Sequence, residues 1–390
     1  MKYRIQNTGD YKKLVTSLCS IPTLRKQFNG IEQCIEIKTN LQEGTIQLST
    51  VDENSHAISL NIVAEVLEEG RQIVLSSILK TMTSKLNSKN GLTVTNDNNM
   101  INYESKPYGT INDSQYFNQD SSLSEELFDL DDYELLANDI SGFYNIIPLG
   151  CTNTYNEKEL YITTEDQTIK TYVQFSETSY LRYKTDVETL SSNIDFKCSV
   201  SPGLLKIVQI LEKDISLYYS SSLKSVLFRS TKGTVAIKVN TNADKLAVMI
   251  DKLMDATPAA GSVEVDHETV LEAIEWQEYN ATDKGIVDLE EAESEASTRL
   301  SIKVSEQNDP SLFVANFTGE FDSVRLSLTQ LVKGLKGMGG PTNKILPMEV
   351  IQVDLKTIPV KNGTPVKCVH IKPEVRDTVT SDVILYEAKC

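Results

Sequence analysis

The chain has 390 residues, of which 40% are hydrophobic and 24% charged, so wholesale disorder is excluded and two or three folded domains are expected. Its 55 Asp and Glu residues outnumber its 38 Lys and Arg residues, which gives a formal net charge of -17 at pH 7. That charge favours solubility and excludes a surface that attracts nucleic acid over its whole extent, so any contact with DNA must be local.

Six segments carry apolar residues at three- and four-residue spacing, which is typical of amphipathic helices. In chain order they are 10–20, 76–86, 131–143, 202–213, 267–277 and 326–336. Their central leucines, which lie 57 to 69 residues apart, are Leu14, Leu79, Leu136, Leu205, Leu271 and Leu331. The helices are therefore predicted to recur as a six-fold near-repeat.

Between these segments, alternating apolar and polar residues with turn residues indicate antiparallel strands. IEIKTNLQEGTIQLST predicts a hairpin with its turn at Glu43 and Gly44, and LYITTEDQTIKTYVQF predicts another around Glu165 to Gln167. Each repeat is thus one helix followed by three or four strands. Because one such unit cannot bury both faces of its helix, two units are expected to pack together as a domain.

Pairing the six units predicts an α+β fold of three domains, each made of two helix-plus-antiparallel-strand units. The domains are predicted to span 1–115, 128–240 and 262–374. Their boundaries fall in the polar stretches 105–128 and 240–262. Residues 375–390 are predicted to form a C-terminal tail after the last strand.

This architecture, in an acidic chain of this length, resembles the bacterial DNA sliding clamp, the beta subunit of DNA polymerase III. TIQLSTVDENSHAISLNIVAEV is similar to strands of the family's first domain, and KELYITTEDQTIKTYVQF to the second-domain strand pair beside its partner cleft. The family's TDGHR run is replaced here by TEDQT. The resemblance implies two chains closed head to tail in a ring around duplex DNA, with helices lining the hole, in a bacterial or viral member of the family.

A clamp that slides needs weak, sequence-independent contacts with phosphate, which lysine and arginine supply. Residues 71–90 contain four basic and no acidic residues, as a helix facing DNA would. The DNA-binding candidates on or near the predicted helices are Lys12, Lys13, Arg25, Lys80, Lys85, Lys89, Lys206, Lys333 and Lys336. A solvated helix surface is the alternative for each lysine.

Two predicted helices depart from the basic pattern: 131–143 carries four acidic residues, and 267–277 carries four when Asp266, just before it, is included. Four carboxylates are expected at helix N-termini, where the helix dipole favours them; they are Asp131, Asp132, Asp266 and Glu268. If they do not face away from DNA, affinity for DNA must be weak and held by topology.

Partner proteins of the family dock short apolar peptides in a cleft between the second and third domains. The resemblance places that cleft at Ile169, Tyr172, Leu246, Val248, Ile371 and Pro373. It places the ring interface between the first and third domains of two copies, at Ile101, Tyr103, Ile274 and Trp276. Packing in the chain's own core is the alternative for each of these side chains.

Catalytic, metal and cofactor sites are not indicated. The six cysteines form no CxxC pair, the three histidines have no zinc-like spacing, and KGLKGMGGPTNK lacks the GxxxxGK[ST] order of a phosphate loop. The N-terminus carries no signal-peptide pattern and no run of about 18 apolar residues occurs. We therefore expect a cytoplasmic, non-catalytic protein without cofactor, in a bacterial cell or a virus-infected host.

The function that the resemblance implies is a DNA polymerase processivity factor, with duplex DNA, the replicative polymerase, the clamp loader and a second copy of the chain as partners. One alternative is a clamp-like scaffold or transcription accessory protein that does not encircle DNA, which would account for the acidic helices. Another is an unrelated β-rich structural protein such as a viral assembly component.

Overall fold

The computed structural model describes residues 1–20, 34–51, 55–86, 91–97, 100–105, 109–114, 128–140, 159–177, 179–187, 190, 196–241, 244–255, 261–280, 285–293, 298–304, 309–338, 345–353, 366–372 and 379–388. The chain divides into two compact units. The first unit comprises Met1–Ser141 and Gly203–Val239, and the second comprises Gly142–Pro202 and Asn240–Cys390. Among the described residues, none of the helices combines the length and the apolar composition that a membrane span requires.

The described helices are α1 (Thr8–Ser20), α2 (Ser76–Ser84), α3 (Pro202–Leu205), α4 (Asp244–Asp255), α5 (His267–Asn280) and α6 (Leu328–Gly337). The predictions of helix at 10–20, 76–86, 267–277 and 326–336 are confirmed. The segment predicted at 202–213 begins as α3 and continues as a 3-10 helix over Lys206–Leu211. Helices α1 and α2 pack against each other in the first unit, as α5 and α6 do in the second.

Two predictions about helices are wrong. In the described part of 131–143, Leu130–Asp132 is a single 3-10 turn capped by Asp129, and Glu134–Ala137 is a strand. Asp131 and Asp132 therefore do not lie at the start of an α-helix. Conversely, the stretch 240–262 that was predicted to be a polar boundary contains helix α4.

The first unit holds two antiparallel sheets. The smaller is built from β1 (Lys2–Ile5), β5 (Glu65–Glu68), β7 (Leu92–Asp97), β8 (Met100–Ser105) and β9 (Gly109–Ser114), in the order β5-β1-β7-β8-β9. The larger is built from β2 (Cys34–Asn40), β3 (Thr45–Val51), β4 (Ala57–Val63), β6 (Gly70–Leu75), β10 (Glu134–Ala137), β15 (Ser216–Ser220), β16 (Ser225–Ser230) and β17 (Gly233–Lys238), in the order β10-β15-β16-β17-β4-β3-β2-β6. The predicted hairpin turn at Gly44 is confirmed, since Asn40 pairs with Thr45 and Gly44 has φ +60°.

The second unit also holds two antiparallel sheets. The larger is built from β11 (Leu160–Glu165), β12 (Thr168–Ser176), β13 (Ser179–Asp186), β14 (Lys197–Val200), β18 (Gly261–Asp266), β22 (Asn316–Gly319), β24 (Ile345–Val353), β25 (Val366–Ile371) and β26 (Val379–Tyr386), in the order β14-β11-β12-β13-β26-β25-β24-β18-β22. The smaller is built from β19 (Ile286–Glu293), β20 (Thr298–Val304), β21 (Ser311–Val314) and β23 (Val324–Ser327), in the order β21-β20-β19-β23. The predicted hairpin around Glu165 to Gln167 is confirmed by the pairing of Glu165 with Thr168.

The sheets cross the predicted domain boundaries. Strands of the predicted first and second domains share the eight-stranded sheet, and strands of the predicted second and third domains share the nine-stranded sheet. The junction in the eight-stranded sheet requires glycine at Gly233, because a Cβ there would lie 2.1 Å from the carbonyl oxygen of Ser59. The division into three domains stays a prediction.

The C-terminal segment is not a tail. Strand β26 lies between β13 and β25 in the interior of the nine-stranded sheet, with Arg182 opposite Asp382 and Val369 opposite Leu385. The physical reason is the apolar run Val383–Tyr386, all of it buried, which suits a strand covered on both faces.

Candidate functional site

Helices α1 and α2 of the first unit present an exposed basic surface. Their buried sides carry Tyr11, Val15, Leu18 and Leu79, so the lysines between these positions point outward. Lys13, Lys80 and Lys85 are exposed. Lys12 Nζ donates to the carbonyl oxygen of Ser84 at 2.7 Å and so ties α1 to the end of α2. We call Lys12, Lys13, Lys80 and Lys85 the basic helix pair.

The 3-10 helix Lys206–Leu211 of the first unit begins with an exposed lysine, Lys206, and is anchored by buried Ile207, Val208 and Leu211. Glu212, which follows this helix, forms an ion pair with Lys232, and the hydrogen bond from Lys232 lowers the pKa of Glu212. A carboxylate oxygen of Glu212 also lies 3.8 Å from Lys13 Nζ. An exposed pair of this kind adds little stability. Two further predicted DNA contacts, Arg25 and Lys89, lie outside the described residues.

Helices α5 and α6 of the second unit present a mixed surface. Lys333 and Lys336 are exposed on α6, but Lys336 Nζ lies 2.6 Å from Glu275 Oε1 on α5. The outward side of α5 also exposes Glu268 and Glu272. The pairing leaves this surface less attractive to phosphate than the basic helix pair.

The start of α5 agrees with one prediction made from the acidic pattern. Asp266 Oδ1 accepts a hydrogen bond from the backbone N–H of Thr269 at 2.7 Å, which is the geometry of a helix N-cap. This carboxylate therefore satisfies the helix end. The carboxylates of Glu272 and Glu275 have no such explanation and belong to the exposed surface.

The predicted cleft residues do not form one surface. Strand β12 alternates its side chains, so Tyr172 faces one side of the nine-stranded sheet, whereas Ile169 faces the other. That other side is covered by α6, since Tyr183 Oη donates to the carbonyl of Gly337. Ile371 is opposite Val383, which approaches Gly334 of α6, and is buried there. The prediction that Ile169 and Ile371 line an open cleft with Tyr172 is therefore wrong.

Helix α4 covers the opposite side of the nine-stranded sheet. Its residues Ala247, Ile250, Leu253 and Met254 are buried against side chains of four strands. Those side chains, which we call the covered tyrosine face, are Tyr172, Tyr180, Cys368, Ile384 and Tyr386. Leu246 is partly buried beside them, and Val248 is exposed. Pro373 lies outside the described residues.

Arg182 of β13 joins α4 to the sheet through three carboxylates. Its guanidinium donates to Asp251 Oδ1 at 2.8 Å, to both oxygens of Asp255 at 2.8 and 2.9 Å, and to Asp382 Oδ2 at 2.6 and 3.0 Å. Burial alone would lower the pKa of Arg182, but the bonds to Asp255, Asp382 and Asp251 outweigh it and raise that pKa. Tyr172 Oη donates to Asp251 Oδ2 at 2.6 Å. The group is a charged latch between α4 and the sheet.

Two lysines surround this latch. Lys170 Nζ contacts Glu165 and lies 3.6 Å from Asp251, and Lys184 Nζ lies 3.9 Å from Asp255 and 3.8 Å from Asp382. Burial works to raise the pKa of Asp255, while the hydrogen bond and charge of Arg182 hold it below its usual value. Asp255 is therefore ionised at neutral pH, and cationic side chains of β12 and β13 lie beside the three carboxylates.

The predicted ring-interface residues divide sharply by exposure. Ile101, Tyr103 and Ile274 are buried within their own units, so their assignment to an interface is wrong. In addition, the strand that carries Ile101 and Tyr103, β8, is paired with β7 on one side and with β9 on the other, so it is not an edge strand. Trp276 is 75% exposed.

One edge strand, β21, exposes apolar side chains that were not predicted from the sequence. Strand β21 is an edge of the four-stranded sheet, and its Leu312 and Val314 are exposed on one side. Strand β9 is an edge of the five-stranded sheet. Alternation in SLFV predicts a strand, but only the order of the described strands shows that β21 lies at the edge of its sheet. Edge strands with exposed apolar side chains are surfaces on which another strand can pair.

No protein-family model matches the chain, and no curated protein does. Solved structures match along the whole of both chains. The sliding clamp of Bacillus subtilis has a TM-score of 0.72 at 13% identity, and the beta subunit from DNA polymerase of Streptococcus pyogenes 0.71 at 13%, each with 100% of both chains covered. The Pseudomonas aeruginosa sliding clamp, with ligand, has 0.73 at 11% identity and the same coverage.

These likenesses show that the chain has the bacterial sliding-clamp fold, a mixed fold of helices and antiparallel sheets. The resemblance drawn from the sequence is confirmed for the fold. The alternative of an unrelated β-rich fold is excluded by the same likeness.

Proposed function

We propose that the protein is a processivity clamp, a non-catalytic cytoplasmic ring that encircles duplex DNA and tethers a polymerase to it. The observation that carries the proposal is the likeness to bacterial sliding clamps over the whole length of both chains. The exposed lysines of the basic helix pair supply the weak phosphate contacts that sliding requires.

Two copies of the chain form the proposed ring, by pairing of the edge strand β21 of one copy with β9 of the other. Leu312 and Val314 supply apolar side chains at this edge, and Trp276 an exposed aromatic one on α5. Pairing of two edges would also remove two unprotected strand edges from solvent. The replicative polymerase and the clamp loader are the proposed partners, and their apolar peptides dock on the side of the nine-stranded sheet that carries the covered tyrosine face.

A second candidate is a clamp-like scaffold that does not encircle DNA. The exposed carboxylates of Glu268, Glu272 and Glu275, and the pairing of Lys336 with Glu275, favour it. A scaffold of this kind binds protein partners and has no need of topological contact. Retention on DNA therefore separates the two candidates.

We expect the protein to be trapped on linear duplex DNA whose ends are blocked after binding. Biotin at both ends and streptavidin added last allow a ring to thread on and then prevent it from sliding off, without a clamp loader. A high-salt wash removes weak ionic contacts but not a topological link. The expected result is protein retained on blocked DNA and lost from open-ended DNA, measured by pull-down of the DNA.

Equal loss from blocked and open DNA would reject encirclement and favour the scaffold. A circular duplex provides the matched control, since a preformed closed ring has no end to thread on. Cutting that circle after any spontaneous loading should release the protein.

A second prediction concerns the basic helix pair. Lys80→Gln with Lys85→Gln should weaken binding to open duplex and lower the slope of log affinity against log salt by up to about 1.8, since each phosphate contact contributes about 0.9. Fluorescence anisotropy of a labelled duplex between about 50 and 200 mM salt measures the slope. The matched control is Lys38→Gln with Lys224→Gln, which removes two exposed charges of the same unit, one on β2 and one in the turn between β15 and β16.

An equal change of slope in the two double variants would show that net charge, and not the helix pair, governs binding. Lys333→Gln with Lys336→Gln is expected to change the slope less than the α2 variant does. The reason is that the charge of Lys336 is already compensated by Glu275.

A further inference from the structure

Helix α4 occupies the surface that the proposed function assigns to partner peptides. Its apolar side packs on three tyrosines, an isoleucine and a cysteine of the covered tyrosine face. Tyrosine-rich apolar surfaces are typical of sites where a few anchor residues dominate binding. An amphipathic helix lying on such a surface is also a common mode of peptide recognition between proteins.

The charged latch is built so that α4 can leave without stranding the buried cation. Arg182 has a side chain that is 2% exposed, and its partner on the sheet, Asp382, is 13% exposed. The two partners on α4 are much more accessible, at 29% for Asp251 and 51% for Asp255. If α4 departs, Arg182 keeps both hydrogen bonds to Asp382 while the α4 carboxylates return to water. The cost of an unpaired buried charge is thereby avoided.

The side of the sheet beneath α4 also holds polar groups that α4 does not satisfy. Tyr386 is 4% and His370 1% exposed. Within the described part of the chain, neither Tyr386 Oη nor His370 Nε2 has a hydrogen-bond partner. Both residues project to this side, because His370 is opposite Ile384 and Tyr386 is opposite Cys368. A buried polar group without a partner favours any ligand that supplies one.

We propose that α4 is a displaceable internal ligand of the partner cleft, and that the partners which replace it are short amphipathic segments with aliphatic side chains and carboxylates. The aliphatic side chains bind the covered tyrosine face, and the carboxylates pair with Lys170, Arg182 and Lys184. This inference rests on the proposed function, since it takes this side of the sheet as the cleft. Docked α4 keeps the cleft closed until a partner of matching chemistry competes for it.

The competition has a quantitative consequence. When only a fraction of molecules has an open cleft, the apparent dissociation constant of a partner is the intrinsic constant divided by that fraction. Any change that weakens α4 docking should therefore tighten binding of an external segment. Because Asp251 and Asp255 are partly exposed, their neutral isosteres should weaken the latch without unfolding the unit.

The probe is a fluorescein-labelled peptide with the chain's own sequence at 244–255, DKLAVMIDKLMD. We expect it to bind the full-length variant Asp251→Asn with Asp255→Asn at least tenfold more tightly than the native chain, measured by anisotropy. The matched control chain is Glu264→Gln with Glu272→Gln, which loses two exposed carboxylates of the same unit away from the latch and should bind as the native chain does. A peptide carrying the two Asn substitutions should bind the latch variant at least tenfold more weakly than the native peptide.

Equal peptide affinity for the native and latch-variant chains would overturn the proposal, as would absence of binding to either. Equal affinity of the two peptides would overturn the role given to the carboxylates. A second measurement needs no variant: excess native peptide should accelerate hydrogen exchange of the α4 amides in the native chain. Unchanged exchange with the peptide bound would show that α4 is not displaced.

Failure of this inference can be told apart from failure of the clamp proposal. Trapping on end-blocked DNA does not depend on the cleft and should be the same for the native chain and the latch variant. Trapping without peptide competition would reject the proposal that α4 is an internal ligand and would support the proposal that the protein encircles DNA. Peptide competition without trapping would support the proposal that α4 is displaced from the cleft and would reject encirclement of DNA.

Discussion

Arg182→Leu is expected to lower the free energy of unfolding of the second unit by about 3–5 kcal/mol, since removal of one partner leaves buried charge uncompensated. The largest share falls on Asp382, because Asp251 and Asp255 reach water more readily. Leucine matches the apolar surroundings but cannot donate to any carboxylate. Urea unfolding of the native chain and of the variant, followed by circular dichroism, measures the loss when the two m-values are equal.

Arg325→Leu is the matched control, because Arg325 also makes two hydrogen bonds to a carboxylate of the second unit, Asp288, but these two side chains are 40% and 33% exposed. An exposed pair of this kind should change stability by about 1 kcal/mol or less. Similar losses of stability in the two leucine variants would show that Arg182 stabilises the second unit no more than an exposed ion pair does.

Leu312→Lys with Val314→Lys is expected to convert the proposed dimer, of twice 43.5 kDa, into monomers. Full burial of two aliphatic side chains is worth about 3–6 kcal/mol, and lysine also places like charge on the edge strand. Since about 1.4 kcal/mol is a factor of ten, association should weaken at least about 100-fold. Sedimentation at several concentrations measures the dissociation constant.

Val63→Lys serves as the control for this edge. Val63 is 85% exposed, comparable to the 74% of Val314, but β4 lies between β17 and β3 in the eight-stranded sheet and is not an edge strand. This variant should remain a dimer. The only tryptophan of the chain, Trp276, gives a second readout, since its emission should shift to the blue on dimerisation if α5 borders the interface. A native chain that sediments as a monomer would contradict the proposed ring.

Local patterns predicted much of the fold because local interactions decide it. Helices α1, α2, α5 and α6 follow the spacing of their own apolar residues, and the hairpin turn at Gly44 follows from a residue that accepts positive φ. The basic helix pair could be found in the same way, since residue spacing places Lys80 away from buried Leu79. Exposure of these lysines needed no information from distant parts of the chain.

Where distant strands compete with local spacing, the sequence misleads. Leu130, Tyr133 and Leu136 have helical spacing, yet Leu135 pairs with Tyr218 and the segment becomes β10. A pairing partner more than 80 residues away leaves no local signal. The apolar period of α4 was present in the sequence, but its charged and polar flanks resemble a linker.

By itself the sequence determined the class of fold, most of the helices, the hairpins and the lysines that face solvent, because each depends on side chains a few residues apart. The tertiary structure alone decided which strands are edges, that the C-terminal segment is an interior strand, and that α4 packs on the covered tyrosine face. Arg182 shows the reason: its partners Asp251, Asp255 and Asp382 lie 69 to 200 residues away. Only the paired sheet brings such charges together, and the spacing of a single segment carries no trace of them.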